Sequence, residues 1–173
     1  MRIVHATSVH PRTDTRIALK MCESLSNEGH SVSLVVADGL GDCDGGNWHV
    51  VDVGQGAGRL QRVAIIARRV AKEALAMQPD IVHFHDPELL LAFALERRPA
   101  HTRVVFDAHE NVPEQLLGKT YLPRWSRGVT SIGYATLERL LVSRIDAIVA
   151  ATPSIADRYR RFHRRVEYVA NYP

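Results

Sequence analysis

Two short clusters in this chain carry side chains able to do chemistry. In His83-Phe84-His85-Asp86, strand alternation puts both imidazoles on one face and Phe84 on the other, a spacing that could chelate a transition metal. In Asp107-Ala108-His109-Glu110-Asn111, the same alternation turns Asp107 and His109 to one side, where a neutral imidazole can hydrogen-bond a hydroxyl or a carbonyl. A third polar segment, TSVHPRTDTRI from Thr7 to Ile17, supplies His10, Arg12, Asp14 and Arg16. Each cluster lies at the end of an apolar run: RIVHA, IVHF or RVVF. In an open parallel α/β sheet the crevice beyond the carboxyl ends of the strands is where ligands bind. Three loops therefore aim chemistry at one edge.

Simpler explanations compete at several of these positions. The His83/His85 pair lacks the further Asp and His of the HxHxDH zinc-hydrolase pattern, so no metal site is expected, and His83 reads as a core histidine. Asp86 before Pro87 fits an N-cap followed by proline at the first helical position. Asp14 reads equally as an N-cap or a cleft residue, and Asn111 also reads as the simple start of a short helix. GQGAG, Gly54 to Gly58, is not a dinucleotide fingerprint, because the third glycine position holds Arg59 and the loop follows the third strand instead of the first. The loop after the first strand has no glycine, which excludes a P-loop. Glu88 and Glu96 lie eight apart, a spacing that chance alone supplies.

The elements that must position these loops alternate strand and helix. Strands are predicted at Arg2 to Ala6, Ser31 to Ala37, Trp48 to Val53, Ile81 to Phe84, Arg103 to Phe106, Ile145 to Ala150 and Arg165 to Val169. Helices are predicted at Asp14 to Glu28, from Leu60 to Leu75, and at Pro87 to Arg97, Pro113 to Leu117, Arg124 to Ser143 and Pro153 to Phe162. The fold class expected is α/β: a doubly wound, mostly parallel sheet of about seven strands with helices on both faces.

With 173 residues, 46% of them hydrophobic and 24% charged, the chain suits one well-cored domain, residues 1–173. A net charge of +3 with clustered Arg and Lys favours acidic ligands or anionic surfaces over a nucleic-acid role. Cys22 and Cys43 show neither metal-ligand nor disulfide spacing, which fits a reducing cytoplasm. The first strand starts at Arg2, and no apolar run could span a bilayer, so membrane contact is expected only at the periphery. Lys119, Arg124 and Arg127 interleave with Leu117, Tyr121, Leu122 and Trp125, the mixture that an interfacial segment needs. The opposing expectation is that Leu122 and Trp125 pack inward and the basic groups are merely solvated. The end at Asn171-Tyr172-Pro173, after a strand, reads as the edge of a domain cut from a longer protein.

TSVHPRTDTRI, GHSVSLV, DIVHFHDPELLL, VVFDAHENVPEQ, RIDAIVAATPSIADRY and VEYVANYP, in this order and spacing, resemble the N-terminal half of GT-B glycosyltransferases of family 4. The resemblance implies a Rossmann-like acceptor-side domain of a retaining, hexosyl-type transferase, active in processes such as polysaccharide biosynthesis. The nucleotide-sugar donor would bind in a C-terminal domain absent from this chain, with no cofactor bound here. It implies that His109 reaches the transferred sugar and that Glu110 supports its loop. His10, Arg12, Asp14, Arg16, His85, Asp86 and Asn111 would line the acceptor cleft, for a sugar or lipid-linked acceptor. The alternatives are a metal-dependent hydrolase built on His83/His85 and a small Rossmann-like binding module.

Overall fold

The computed structural model describes residues 1–58 and 61–170, leaving Arg59, Leu60 and the Asn171-Tyr172-Pro173 exit outside the description. β1 is Arg2–Ala6, β2 Ser31–Val36, β3 Cys43–Asp44, β4 His49–Asp52, β5 Ile81–Phe84, β6 Arg103–Ala108, β7 Ala147–Ala150 and β8 Val166–Tyr168. These form one sheet in the order β3-β4-β2-β1-β5-β6-β7-β8, parallel throughout except for the β3/β4 pair. The chain leaves β1 toward β2 and β4, then returns to lay β5 on the other side of β1. β1 and β5 thus flank the switch point, where adjacent loops diverge and leave a crevice.

The predicted helices are present, three of them with altered winding at their starts. α1 begins as a π-helical stretch, Thr15–Cys22, and continues as α-helix through Glu23–Asn27. α2 runs from a π-helical start, Arg62–Ile66, into Ala67–Ala76. α3 is a 3₁₀ turn, Pro87–Leu89, leading into Leu90–Leu95. α4 is Val112–Gly118, α5 Arg124–Val142 and α6 Pro153–Arg160.

Strand alternation divides the core between two faces. Val4, Ala6, Val82, Phe84, Val104, Phe106 and Ile148 point to the face covered by α2, α3, α5 and α6. On the other face Leu34, Val36 and Val50 pack with Ile17, Ala18 and Cys22 of α1. Helices therefore lie on both faces, but unequally. α1 covers the β1, β2 and β4 side, while the same face of β5 to β7 leaves Ile81, Val105, Ala147 and Val149 half-buried. The start of α1 lies beside this uncovered region and carries Arg16 toward β6.

β3 is the one strand absent from the sequence-based expectation. It has two residues inside the Gly/Asp-rich loop, and its turn back to β4 uses Gly45, whose N–H donates to the Trp48 carbonyl at 2.8 Å. A Cβ on Gly45 would fall 2.5 Å from Trp48 Cε2, so the indole occupies the space a side chain would take.

Phe84 is fully buried in the larger core, stacked on Phe93 at 4.8 Å and on Phe106 at 4.9 Å between ring centroids. Phe84→Ala should lower unfolding free energy by about 3–5 kcal/mol, with the urea m-value little changed. A loss below about 1 kcal/mol in urea titrations would contradict this account of the core.

Candidate active site

The ends of β1, β5 and β6 meet around two buried carboxylates, each taking donors from a different part of the chain. Asp86, just past β5, turns its side chain away from the helix that follows and makes no cap bond to it. Instead it accepts from Thr7 Oγ1 at 3.0 Å, Ser8 Oγ at 3.1 Å and Val9 N at 3.2 Å, with a further bond from Ser8 N. His10 Nε2 lies 3.5 Å away. The N-cap reading of Asp86 is therefore corrected: several donors on the β1 loop capture a carboxylate that a helix end would have used less fully. Thr7 completes the turn by accepting from His10 N at 2.9 Å. Asp14, by contrast, does cap α1, accepting from Arg16 N at 2.9 Å and Ile17 N at 3.0 Å.

Asp107, the other acid, has no exposure to solvent. Arg16 grips it through Nη2 at 2.8 Å and Nε at 3.2 Å, and His85 Nδ1 lies 3.1 Å from Oδ2. His109 Nε2 is also 3.1 Å from Oδ2, and His83 Nε2 3.9 Å. Burial alone would raise this carboxyl, but the imidazoles of His109, His85 and His83 outweigh it and hold the group well below the usual carboxylate range. An ionised Asp107 can only accept, so His85 must carry its proton on Nδ1. His85 Nε2 then presents a lone pair to His5 Nδ1, 3.0 Å away. Burial first, then the neighbouring imidazoles, push His5 and His83 down, His83 to about 3. Burial also lowers His85, although Asp107 opposes it.

A cavity of about 270 Å³ opens above these groups, lined by Val9, His10, His85, Asp86, Pro87, Glu88, Phe106, His109, Glu110, Val112, Glu138 and Tyr159. Of the residues proposed from sequence, His10, His85, Asp86, His109 and Glu110 therefore share one cleft. Arg12 and Arg16 do not line it. Arg12 is spent on Asp38, at 2.6 Å through Nη2, and on the Gly41 carbonyl at 2.8 Å, and Arg16 on Asp107. Asn111 stays outside the lining and donates to Glu114 Oε2 at 2.8 Å.

The back wall holds groups that motif reading did not single out. Glu138 of α5 is buried, ion-paired to Arg158, and accepts from the Tyr159 hydroxyl at 2.6 Å. Its signal was present: Ser131, Glu138 and Val142 repeat at helical spacing on the inward stripe, and a glutamate there needs a partner. A second cavity of about 360 Å³ adjoins the first through Pro87, Glu88, Glu110, Val112 and Glu138. Its remaining walls are mostly apolar, including Leu90, Leu91, Leu116, Tyr121 and Leu137, with Lys119 among them. Among the described residues two groups bring possible metal-ligating atoms within 4.8 Å of one another: His5, His83 and His85, and His85, Asp107 and His109.

The family described as "Glycosyl transferase 4-like domain" matches residues 15–171. No curated protein matches the sequence. Among solved structures, sucrose-phosphate synthase from Thermosynechococcus elongatus superposes with a TM-score of 0.70 at 10% identity, covering 98% of this chain and 48% of that one. The catalytic domain of starch synthase IV from Arabidopsis thaliana, bound to ADP and acarbose, gives 0.60 at 12% identity, covering 98% and 51%. The chain thus spans about half the length of these structures. At such identities they establish the Rossmann-like architecture of GT-B glycosyltransferases for this domain.

The buried histidines make stability depend on pH. Their folded values lie below the unfolded value of 6.5, so the unfolded chain binds more protons as pH falls below 6.5, and stability declines from there toward the folded values. Each histidine contributes up to about 1.4 kcal/mol per pH unit in that window. The contribution from Asp107, a depressed carboxylate, is lost only at much lower pH. Urea midpoints should fall from pH 7 to pH 5, and less steeply in His83→Gln; equal slopes would show that His83 is not held neutral.

Proposed function

The chain belongs to the glycosyl transferase 4-like domain family, and on that premise we propose that it forms the acceptor side of a retaining hexosyltransferase. The donor, a nucleotide sugar, would be gripped by a second domain across the cleft, since the parallel-strand crevice here offers no glycine cradle for phosphates. The observation carrying this reading is the convergence of His10, His85, His109 and Glu110 on one cavity at the switch point of a family-matched fold. Family membership disfavours the hydrolase and binding-module alternatives.

In this reading His109 acts at the transferring sugar. Its imidazole stands in front of the Asp107 carboxylate, so a hydroxyl hydrogen-bonded to it is held in a fixed direction, and positive charge developing at the anomeric carbon faces a negatively backed group. Glu110, exposed at the mouth of both cavities, supports the loop and borders the acceptor. Asp86 and Asp107 do their work by fixing the loops that carry these side chains.

The neighbouring apolar cavity favours an acceptor with a hydrocarbon portion, a lipid-linked glycan, with its polar end in the His109 cleft. The outer surface of α5 agrees with delivery from a membrane. Trp125 is 83% exposed, Val129 72%, Ile132 70% and Leu140 64%, a stripe at helical spacing turned to solvent. Trp125 is thus turned outward instead of packing inward, while Leu122 is half-buried and its carbonyl accepts from Arg127 Nε at 3.0 Å. α5 has no exposed acidic residue, Glu138 being buried. No helix among the described residues is long and apolar enough to cross a membrane; the contact proposed here is peripheral, on the cytoplasmic face.

In an enzyme carrying both domains, His109→Ala should lower kcat by roughly 10² or more with a smaller change in acceptor KM. Near-normal kcat would reduce His109 to scaffolding. The present chain alone should show no transfer from UDP-, GDP- or ADP-sugars, because transition-state groups come from the other domain; turnover would relocate the donor site. With vesicles of anionic lipid at low salt, the chain should co-sediment, and each basic residue near the surface is worth about 1 kcal/mol. Replacing Lys119, Arg124 and Arg127 with Gln should return it to the supernatant, and equal recovery of both proteins would remove the membrane contact.

A further inference from the structure

The transferase reading uses neither His5 nor His83, yet both are placed with unusual constraint. Parallel pairing of β1 with β5 sets His5 beside His83 in register, and both point to the α1 face. His85, two residues on from His83 and just past the end of β5, closes a triangle. Ring centroids are 5.2 Å apart for His5 and His83, 5.3 Å for His5 and His85, and 4.8 Å for His83 and His85. Imidazole nitrogens bound at about 2.0–2.1 Å in a tetrahedral field lie about 3.3 Å apart, with centroids about 5 Å apart. The three rings already have that spacing, and His5 Nδ1 and His85 Nε2 are 3.0 Å from each other.

The polar groups around the triangle leave it incompletely satisfied. With Asp107 fixing the His85 proton on Nδ1 and His5 donating to His85 Nε2, the remaining nitrogen of His5 is a buried lone pair. His83 Nε2 lacks a hydrogen-bond partner and is the atom an ion would meet; His5 Nε2 lacks one too, and takes up the ring's proton when Nδ1 ligates. Leaving such groups unmatched costs about 1–3 kcal/mol each. A carboxylate behind a ligating histidine is also the usual second contact of a metal site, orienting the ring and raising its basicity. Asp107 holds that position behind His85. The Arg16 charge beside the site is matched by Asp107, so it leaves no net positive charge to repel a cation.

We propose that His5, His83 and His85 bind one transition-metal ion of the borderline class, represented by Zn²⁺ or Co²⁺, joining β1 to β5 at the switch point. The nitrogen-only set favours these ions over Mg²⁺ or Ca²⁺, which require oxygen ligands. Binding inserts the ion between His5 Nδ1 and His85 Nε2, and the proton of His5 moves to its own Nε2. Charge and protons balance with no proton released. The site shares His85 with the transferase cleft, but it is argued from the β1/β5 register and does not need the transferase proposal.

The test is titration of tag-free, metal-stripped protein with Co²⁺, followed by competition with Zn²⁺. The expected result is one ion per chain, the visible absorption of four-coordinate cobalt, and its loss on adding Zn²⁺. Zn²⁺ at a hundredfold excess over Kd should raise Tm by roughly 5–10 °C. His83→Gln, at a half-buried position, should weaken binding at least tenfold, while His49→Gln on the exposed β4 edge should bind as the parent does. Failure of the parent chain to bind cobalt at one equivalent would overturn the proposal. So would binding that survives His83→Gln but is lost in His109→Gln, since that pattern places the ion on His85, Asp107 and His109.

Discussion

A carboxylate without contact with solvent governs the arrangement of this domain's working edge. Removing an ionised group from water costs several kcal/mol, and that cost is recovered only with well-placed partners. Asp107 finds them on three separate segments: the guanidinium of Arg16 from the start of α1, and the imidazoles of His85 after β5 and His109 after β6. Each partner is thereby fixed against the others. Asp86 imposes the same kind of constraint on the β1 loop, which folds around it through Thr7, Ser8 and Val9. Two buried carboxyl groups at adjacent strand ends thus shape loops that glycine-rich turns shape in nucleotide-binding folds.

The same physics separates positioning groups from groups free to meet a ligand. Arg12, Arg16, Asp86 and Asp107 have their hydrogen-bonding capacity taken up inside the protein. His10, His109 and Glu110 face the cavity. Family membership gives this division its chemical sense, because an acceptor-side domain must hold a hydroxyl in a defined direction while its partner domain handles the nucleotide. Away from the cleft, the exposed apolar stripe of α5 cannot be explained by packing within this domain. It contrasts with the inward stripe of the same helix, where even Glu138 is buried and paired.

Most of the architecture could be read from periodicity because the parallel strands are short apolar runs and their helices carry one apolar face. β3 could not, since two residues in a Gly/Asp loop carry no period. The loop ends were also legible, and with them His10, His85, His109 and Glu110. What sequence could not supply was partnership across long separations. Arg12 meets Asp38, 26 residues away, and Arg16 meets Asp107, 91 residues away, so both cations looked available for the cleft. Asp86 carried a sound capping signal before Pro87, but donors 77 to 79 residues earlier outcompeted the helix end. His5 sits within an apolar run, and only the β1/β5 register brings it beside His83.

The network stands or falls on the ionised, acceptor-only state of Asp107, and imidazole nitrogen NMR of the folded domain reads that state most directly. The account predicts that His85 is the Nδ1–H tautomer and stays neutral as pH falls from 7 through its ordinary titration range, with the Nδ1 proton strongly deshielded by the carboxylate. In Asp107→Asn that tautomer preference should weaken. An Nε2–H tautomer of His85, or ordinary titration near 6.5 in the parent domain, would contradict the central role given to Asp107.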